Sequence, residues 1–138
     1  MTTTHFNANV VARFYAALRS NNVELWLSNF AADAIAHDPV GAPPHYGHSG
    51  LRNFLSGVLA QFETFGLTEN DVFHAPQGAA VKWTGRGRGR NGRQIEFHGI
   101  DVFEFDHDGK ILSLKAYWDA APVMATLAAS SSAHGETT

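Results

Sequence analysis

The sequence lacks cysteine entirely. Disulfides, thiol nucleophiles and cysteine-based zinc sites are therefore excluded. Charge is also sparse. Only 17% of residues are charged and the net charge is −3 with histidine neutral, which gives no global attraction to nucleic acid or to an anionic membrane. No apolar run approaches the length of a membrane span. The start, Met1-Thr2-Thr3-Thr4-His5, carries no basic region and no apolar segment follows it, so no secretory signal and a cytoplasmic location are expected. There are no long repeats, no phosphate-cradling glycine motif and no nucleophilic Ser/His/Asp arrangement, and no cofactor is expected.

What the chain has in quantity is apolar and aromatic surface. Apolar residues make up 44% of its 138 residues, with ten Phe, three Trp and three Tyr. That length suits one domain with a real core, placed at residues 1–129. Residues 130–138 are small and polar and are expected to form a flexible tail.

Apolar periodicity divides the chain in two. Phe6, Val10, Phe14, Ala17 and Leu18 fall on one stripe at roughly 100° per residue, which predicts a helix over 6–20, with Tyr15 at the stripe's edge. Asn21-Asn22 breaks it and caps a second short helix, Val23 to Phe30. A third helix begins at His48 or Ser49, where Leu51, Phe54, Leu55, Val58, Leu59 and Phe62 recur at three and four residues. Beyond Gly66 the period becomes two, with one weak later helix near 122–129. The expected class is α+β, with an antiparallel sheet packed on N-terminal helices. Asn91-Gly92 and Asp108-Gly109 are expected as tight hairpin turns with positive φ at both positions.

Two carboxylates stand out. Asp38 lies between a short apolar strand and a stiff turn, Pro39-Val40-Gly41 followed by Pro43-Pro44. Proline disfavours helical geometry at the residue before it, so Asp38 is extended and fixed in place. By itself that segment is also an ordinary Asp-Pro turn. Asp101 is the second. A turn at Asp108-Gly109 pairs Phe105 with Leu112, Phe103 with Leu114 and Asp101 with Ala116, and directly paired residues share a face. Asp101 then points with Phe97, Phe103, Phe105, Leu112, Leu114 and Trp118. On that apolar face burial raises a carboxyl pKa. Regular pairing about Asn91-Gly92 conflicts with this, because it sets Lys82 opposite Asp101. One extra residue, a β-bulge, resolves the conflict by turning Trp83, Gly85, Gly87 and Gly89 inward and the arginines outward.

Other signals are weaker. The run Gly85–Arg90 reads as a solvated hairpin rather than an RNA-binding patch, since no aromatics interleave it. His37, Asp38, His45 and His48 match no metal-binding spacing, and no metal site is expected.

The segments Val10–Leu18, Phe30–Gly41 with its Asp38-Pro39-Val40-Gly41 run, Gly47 with Leu51–Phe54, and Ile100-Asp101 with Gly109-Lys110 follow one another in the order and spacing of a known family. The chain resembles the ketosteroid isomerases of the SnoaL-like, nuclear-transport-factor-like superfamily. The resemblance implies a cone-shaped α+β barrel with a deep apolar pocket, usually in a homodimer, and a small hydrophobic substrate. It implies that Asp38 is a general base shuttling a proton between carbons flanking an enolisable ketone. It makes Asp101 a protonated donor to the developing oxyanion, a general case of a carboxylic acid kept neutral by its site for which ketosteroid isomerase is the standard example. Dehydration or cyclisation of a polyketide-like substrate, and a noncatalytic binding module, are the alternatives. The family's oxyanion-donating tyrosine is matched by Phe14 and a supporting tyrosine by Leu55, so both hydroxyls are absent. The candidate ligand contacts are Phe14, Tyr15, Val40, Phe54, Leu59, Trp83, Phe103 and Trp118. Several of these serve equally well as core, since pocket wall and core merge in a cone.

Overall fold

The computed structural model describes the backbone of residues 2–130 and side chains from Asn9 onward. The side chain of Phe6 and the tail from residue 131 lie outside these described parts.

Helix α1 (Thr2–Arg19) buries Val10, Val11, Phe14, Tyr15, Ala17 and Leu18. It stops at Asn21, which takes φ 54°. Asn22 then caps α2 (Val23–Leu27), its side-chain oxygen accepting from the Leu25 N–H at 3.0 Å. The second helix is shorter than its apolar pattern suggests, because Phe30 already begins β1 (Phe30–His37). A short β2 (His45–Tyr46) leads into α3 (Gly47–Ala60). Phe62, the end of the predicted helical stripe, instead opens β3 (Phe62–Ala75). Strands β4 (Gly78–Gly89), β5 (Gln94–Phe105) and β6 (Ile111–Trp118) follow, and α4 (Ala120–Ala128) ends the described chain.

The six strands form one curved sheet in the order β2-β1-β6-β5-β4-β3. It differs from the expected architecture in two ways. The β1–β6 pair is parallel, so the sheet is mixed rather than antiparallel. Strands β2 and β3 remain edges, so the cone does not close into a barrel. Helices α1 and α3 lie on the concave side, α1 against β3 and β4 and α3 against β1 and β3. Phe14, Tyr15, Trp26, Phe30, Phe103 and Phe105 form the aromatic centre of the core between helices and sheet.

Both hairpins turn differently from the two-residue expectation. Gly89 and Arg93 close a loop by an N–H to carbonyl bond of 2.9 Å, Asp106 and Lys110 close the other at 2.9 Å, and only Gly92 (φ 83°) and Gly109 (φ 77°) have positive φ. Each loop therefore carries one more residue than a tight turn, with glycine at the left-handed position, the usual three-residue alternative. In the first hairpin this extra residue sits in the turn itself. Val81 comes opposite Asp101, Gly85 opposite Phe97, and Lys82 opposite Ile100. The inward orientation expected from a bulge is thus reached through the loop, and Lys82 is exposed on the outer face. In the second hairpin the irregularity falls beside Phe105, which pairs with Ile111. Leu112 is consequently turned outward and is 39% exposed, contrary to its expected place on the face of Asp101. Phe103–Leu114 and Asp101–Ala116 pair as the alternation predicts.

Candidate active site

Asp38 follows the last residue of β1, and the loop beyond it is tied down rather than free. The Val40 N–H donates to the Ala116 carbonyl at 2.8 Å, which locks the Pro39–Gly41 turn to β6. Gly41 takes φ 103°, a conformation open to glycine. The Asp38 side chain is half-buried and accepts a 2.7 Å hydrogen bond on Oδ1 from Trp118 Nε1. Burial pushes the Asp38 carboxyl up to about 6, and the Trp118 N–H works against that rise.

Asp101 is 2% exposed, with its oxygen Oδ2 accepting from the Tyr15 hydroxyl at 2.6 Å. Burial pushes its carboxyl up to about 7, and the charge of Asp38 adds to the rise. Tyr15 and Trp83 oppose it. Tyr15 itself is held far above its ordinary range, first by burial and then by the neighbouring Asp101, so its hydroxyl stays a donor.

Both carboxylates line one cavity between α3, α4 and the concave sheet face. Its walls are almost wholly apolar, with Phe54, Leu55 and Val58 from α3, Phe65, Leu67, Trp83 and Phe97 from the sheet, and Val123 and Met124 from α4. The space is slender. About 660 Å³ is free of atoms out to the open side, but only about 70 Å³ admits the centre of a water-sized sphere. Gly85 contributes to its shape, because a Cβ there would come within 2.7 Å of the Phe97 ring.

Of the candidate contacts read from the sequence, Phe14, Phe54, Trp83 and Trp118 line this cavity together with both aspartates. Four others lie elsewhere. Val40 is 40% exposed on the outer side of its loop. Leu59 packs against the core from α3. Phe103 is 1% exposed, beneath Phe14 and Tyr15. Tyr15 is wholly buried and reaches the site only through Asp101. Sequence reasoning missed the Tyr15 and Trp118 hydrogen bonds, which join residues 86 and 80 positions apart. It also missed the α4 wall, for which the weak helix near 122–129 was the only available signal.

The outward arginines are engaged in the fold. Arg86 donates to Glu96 at 3.1 Å, Arg88 lies 3.9 Å from Glu63, and Arg90 and Arg93 donate to the carbonyls of Ala60 and Ser130. His48 meets the Phe30 carbonyl at 2.9 Å, and His45 stacks on Phe54 with centroids 4.4 Å apart. Among the described residues, no helix is long and apolar enough to cross a membrane.

Known proteins resemble the chain over most of its length. The SnoaL-like domain family matches residues 11–114. A steroid Δ-isomerase of Nocardioides simplex is 30% identical over 116 residues, covering 84% of this chain and 92% of the isomerase. Among solved structures, an NTF2-like protein of unknown function from Burkholderia pseudomallei superposes with a TM-score of 0.80 at 20% identity, covering 90% of this chain and 98% of its own. A Mycobacterium tuberculosis protein in complex with estradiol-17β-hemisuccinate gives 0.75 at 18% identity, covering 83% and 94%. The match spans most of the chain and contains both aspartates and the strands that carry them, and the chain belongs to the SnoaL-like family, with the ketosteroid isomerase-like proteins.

Proposed function

We propose that this chain is a cofactor-independent isomerase that moves a proton on a hydrophobic, enolisable ketone. Asp38 is the base. It takes a proton from the carbon beside the carbonyl, the C–H electron pair becomes part of a conjugated enolate, and the carbonyl π pair moves onto oxygen. Asp38 then returns the same proton at the far end of the conjugated system, so the double bond migrates and atoms balance. Asp101, protonated, donates to the oxygen while it carries negative charge. Its Oδ2 already accepts from Tyr15, which leaves Oδ1 to carry the proton.

The observation that carries this reading is two carboxyl groups lining one apolar cavity, Asp38 held by the Trp118 N–H and Asp101 buried against the Tyr15 hydroxyl. Burial raises both carboxyls, and the charge of an ionised Asp38 raises Asp101 further, so Asp101 is the one that keeps its proton when Asp38 is the base. Environments that push two titratable groups apart separate a base from an acid. The steroid Δ-isomerase likeness and the steroid complex of a structural neighbour support a flat polycyclic substrate. A homodimer joined through the outer sheet face, where Ile100, Val102 and Tyr117 are exposed, belongs to the same reading.

The test is conversion of a β,γ-unsaturated cyclic ketone to its conjugated isomer, followed by ultraviolet absorbance. Asp38→Asn should lower kcat by ~10²–10⁴-fold, the range for a positioned general base. Equal turnover by Asp38→Asn and the unmodified protein would rule the base assignment out. Loss of water from a hydroxylated substrate, with no isomerisation of the ketone, would assign the site to dehydration instead.

A further inference from the structure

Two residues that line the cavity, Trp26 and Trp83, have buried indole N–H groups with no hydrogen-bond partner. Trp83 is 2% exposed, and its Nε1–H meets no hydrogen-bonding partner. Strand register explains its aim. Trp83 pairs with Gly99 and Asp101 with Val81, so Trp83 and Asp101 are diagonal neighbours on the concave face. Aromatic and long side chains span that diagonal.

The indole is held in place on two sides. Its six-membered ring lies on Gly99, where any Cβ would collide with Trp83 Cζ2. Phe97 stands edge-on against it, with centroids 5.6 Å apart and an interplanar angle of 87°. The N–H is thereby left beside the Asp101 carboxyl, near enough to oppose that group's rise in pKa without reaching hydrogen-bond geometry. Trp26 packs against Phe14 and Phe30 and, unlike Trp83, is not among the groups that act on the Asp101 carboxyl.

Buried polar groups without partners are uncommon in folded proteins, and each calls for a reason. We propose that Trp83 Nε1–H is the second donor to the substrate's carbonyl oxygen, beside Asp101, and takes over the task of the hydroxyl absent at Phe14. The proposal rests on the isomerase reading of Asp38 and Asp101. It narrows the ligand to one whose oxygen can lie between Asp101 and the indole, with its ring against Phe97 and Trp118: a planar cyclic ketone, or a phenol that imitates its enolate. As charge builds on the oxygen the indole bond strengthens, while the indole gives up no proton of its own. Unlike Asp101, this donor does not titrate as the pH passes through neutrality.

The direct test replaces Trp83 by β-(3-benzothienyl)alanine, which keeps the bicyclic shape and exchanges N–H for sulfur, alongside Trp83→Phe and Asp101→Leu. Turnover of the β,γ-unsaturated ketone and binding of 2-naphthol are measured for each. The benzothienyl variant should lose roughly 100-fold in kcat, as for removal of an oxyanion donor. Its KM should stay within about 3-fold, the pattern of an interaction made in the transition state. Its affinity for 2-naphthol should fall about 10-fold, the scale of one hydrogen bond. Unchanged kcat and naphthol affinity in that variant, with both lowered in Asp101→Leu, would overturn the role of Trp83 and leave the isomerase reading standing. No loss in Asp101→Leu either would overturn that reading as well. If Trp83→Phe fails to fold, the isosteric benzothienyl variant decides.

Discussion

Replacing Asp101 by Asn should make the protein more stable at alkaline pH, although it removes a group from the proposed site. The Asp101 carboxyl rises from 3.8 to about 7 in the folded chain, chiefly through burial. Between those values the unfolded chain ionises the group and the folded chain resists doing so. The folded state then binds more protons than the unfolded state, so stability falls as pH rises. The loss begins near pH 4 and is complete just above pH 7. At ~1.4 kcal/mol per tenfold the gap corresponds to about 4 kcal/mol. Asn has nearly the same shape, can accept from Tyr15 through its amide oxygen and never ionises. It gives back about 1 kcal/mol for a weaker hydrogen bond at every pH. Asp38 is present in both proteins, so its own contribution largely cancels in the difference. Urea unfolding at pH 4 should find Asp101→Asn equal to the unmodified protein or slightly weaker. At pH 8.5 it should be more stable by about 3 kcal/mol. Parallel stability curves, with no pH-dependent gap, would refute the burial argument for Asp101.

Three further expectations concern activity. The pH profile of kcat/KM should be a narrow bell, rising through about 6 as Asp38 ionises and falling beyond about 7 as Asp101 loses its proton. Trp118→Phe removes the 2.7 Å donor that holds the Asp38 carboxyl down, so the acid limb should move to higher pH. An unmoved acid limb would separate that hydrogen bond from the titrating base. Tyr15→Phe removes the donor to Asp101 Oδ2, so the alkaline limb should move upward. The same variant should lose about 1 kcal/mol of stability in thermal or urea unfolding, as for one buried hydrogen bond.

The two carboxylates were legible because each follows a short-range rule. Asp38 precedes a proline, and Asp101 sits in a strand whose alternation sets its face. Their partners follow no such rule. The β1–β6 pair is parallel and joins segments far apart in sequence, and that pairing brings Trp118 to Asp38. Nothing local encodes it. On α1 the helical stripe put Phe14 near the centre and Tyr15 at the edge. The structure buries both, because helix α1 is covered by the sheet as well as by α2. Tyr15 therefore reaches Asp101 from a position that periodicity alone would turn aside. Leu112 shows the limit of alternation: one irregular residue beside the hairpin loop reversed its face.

Proton abstraction by Asp38 is the centre of the account, and exchange of hydrogen for deuterium tests it without requiring the natural substrate. A hydrophobic cyclic ketone is incubated with the protein in deuterium oxide, and loss of its α-protons is followed by nuclear magnetic resonance. The unmodified protein should exchange the proton next to the carbonyl well above the buffer rate, and Asp38→Asn should reduce that rate to background. Exchange that persists undiminished in Asp38→Asn, or ketone binding to the unmodified protein with no exchange above buffer, would contradict it.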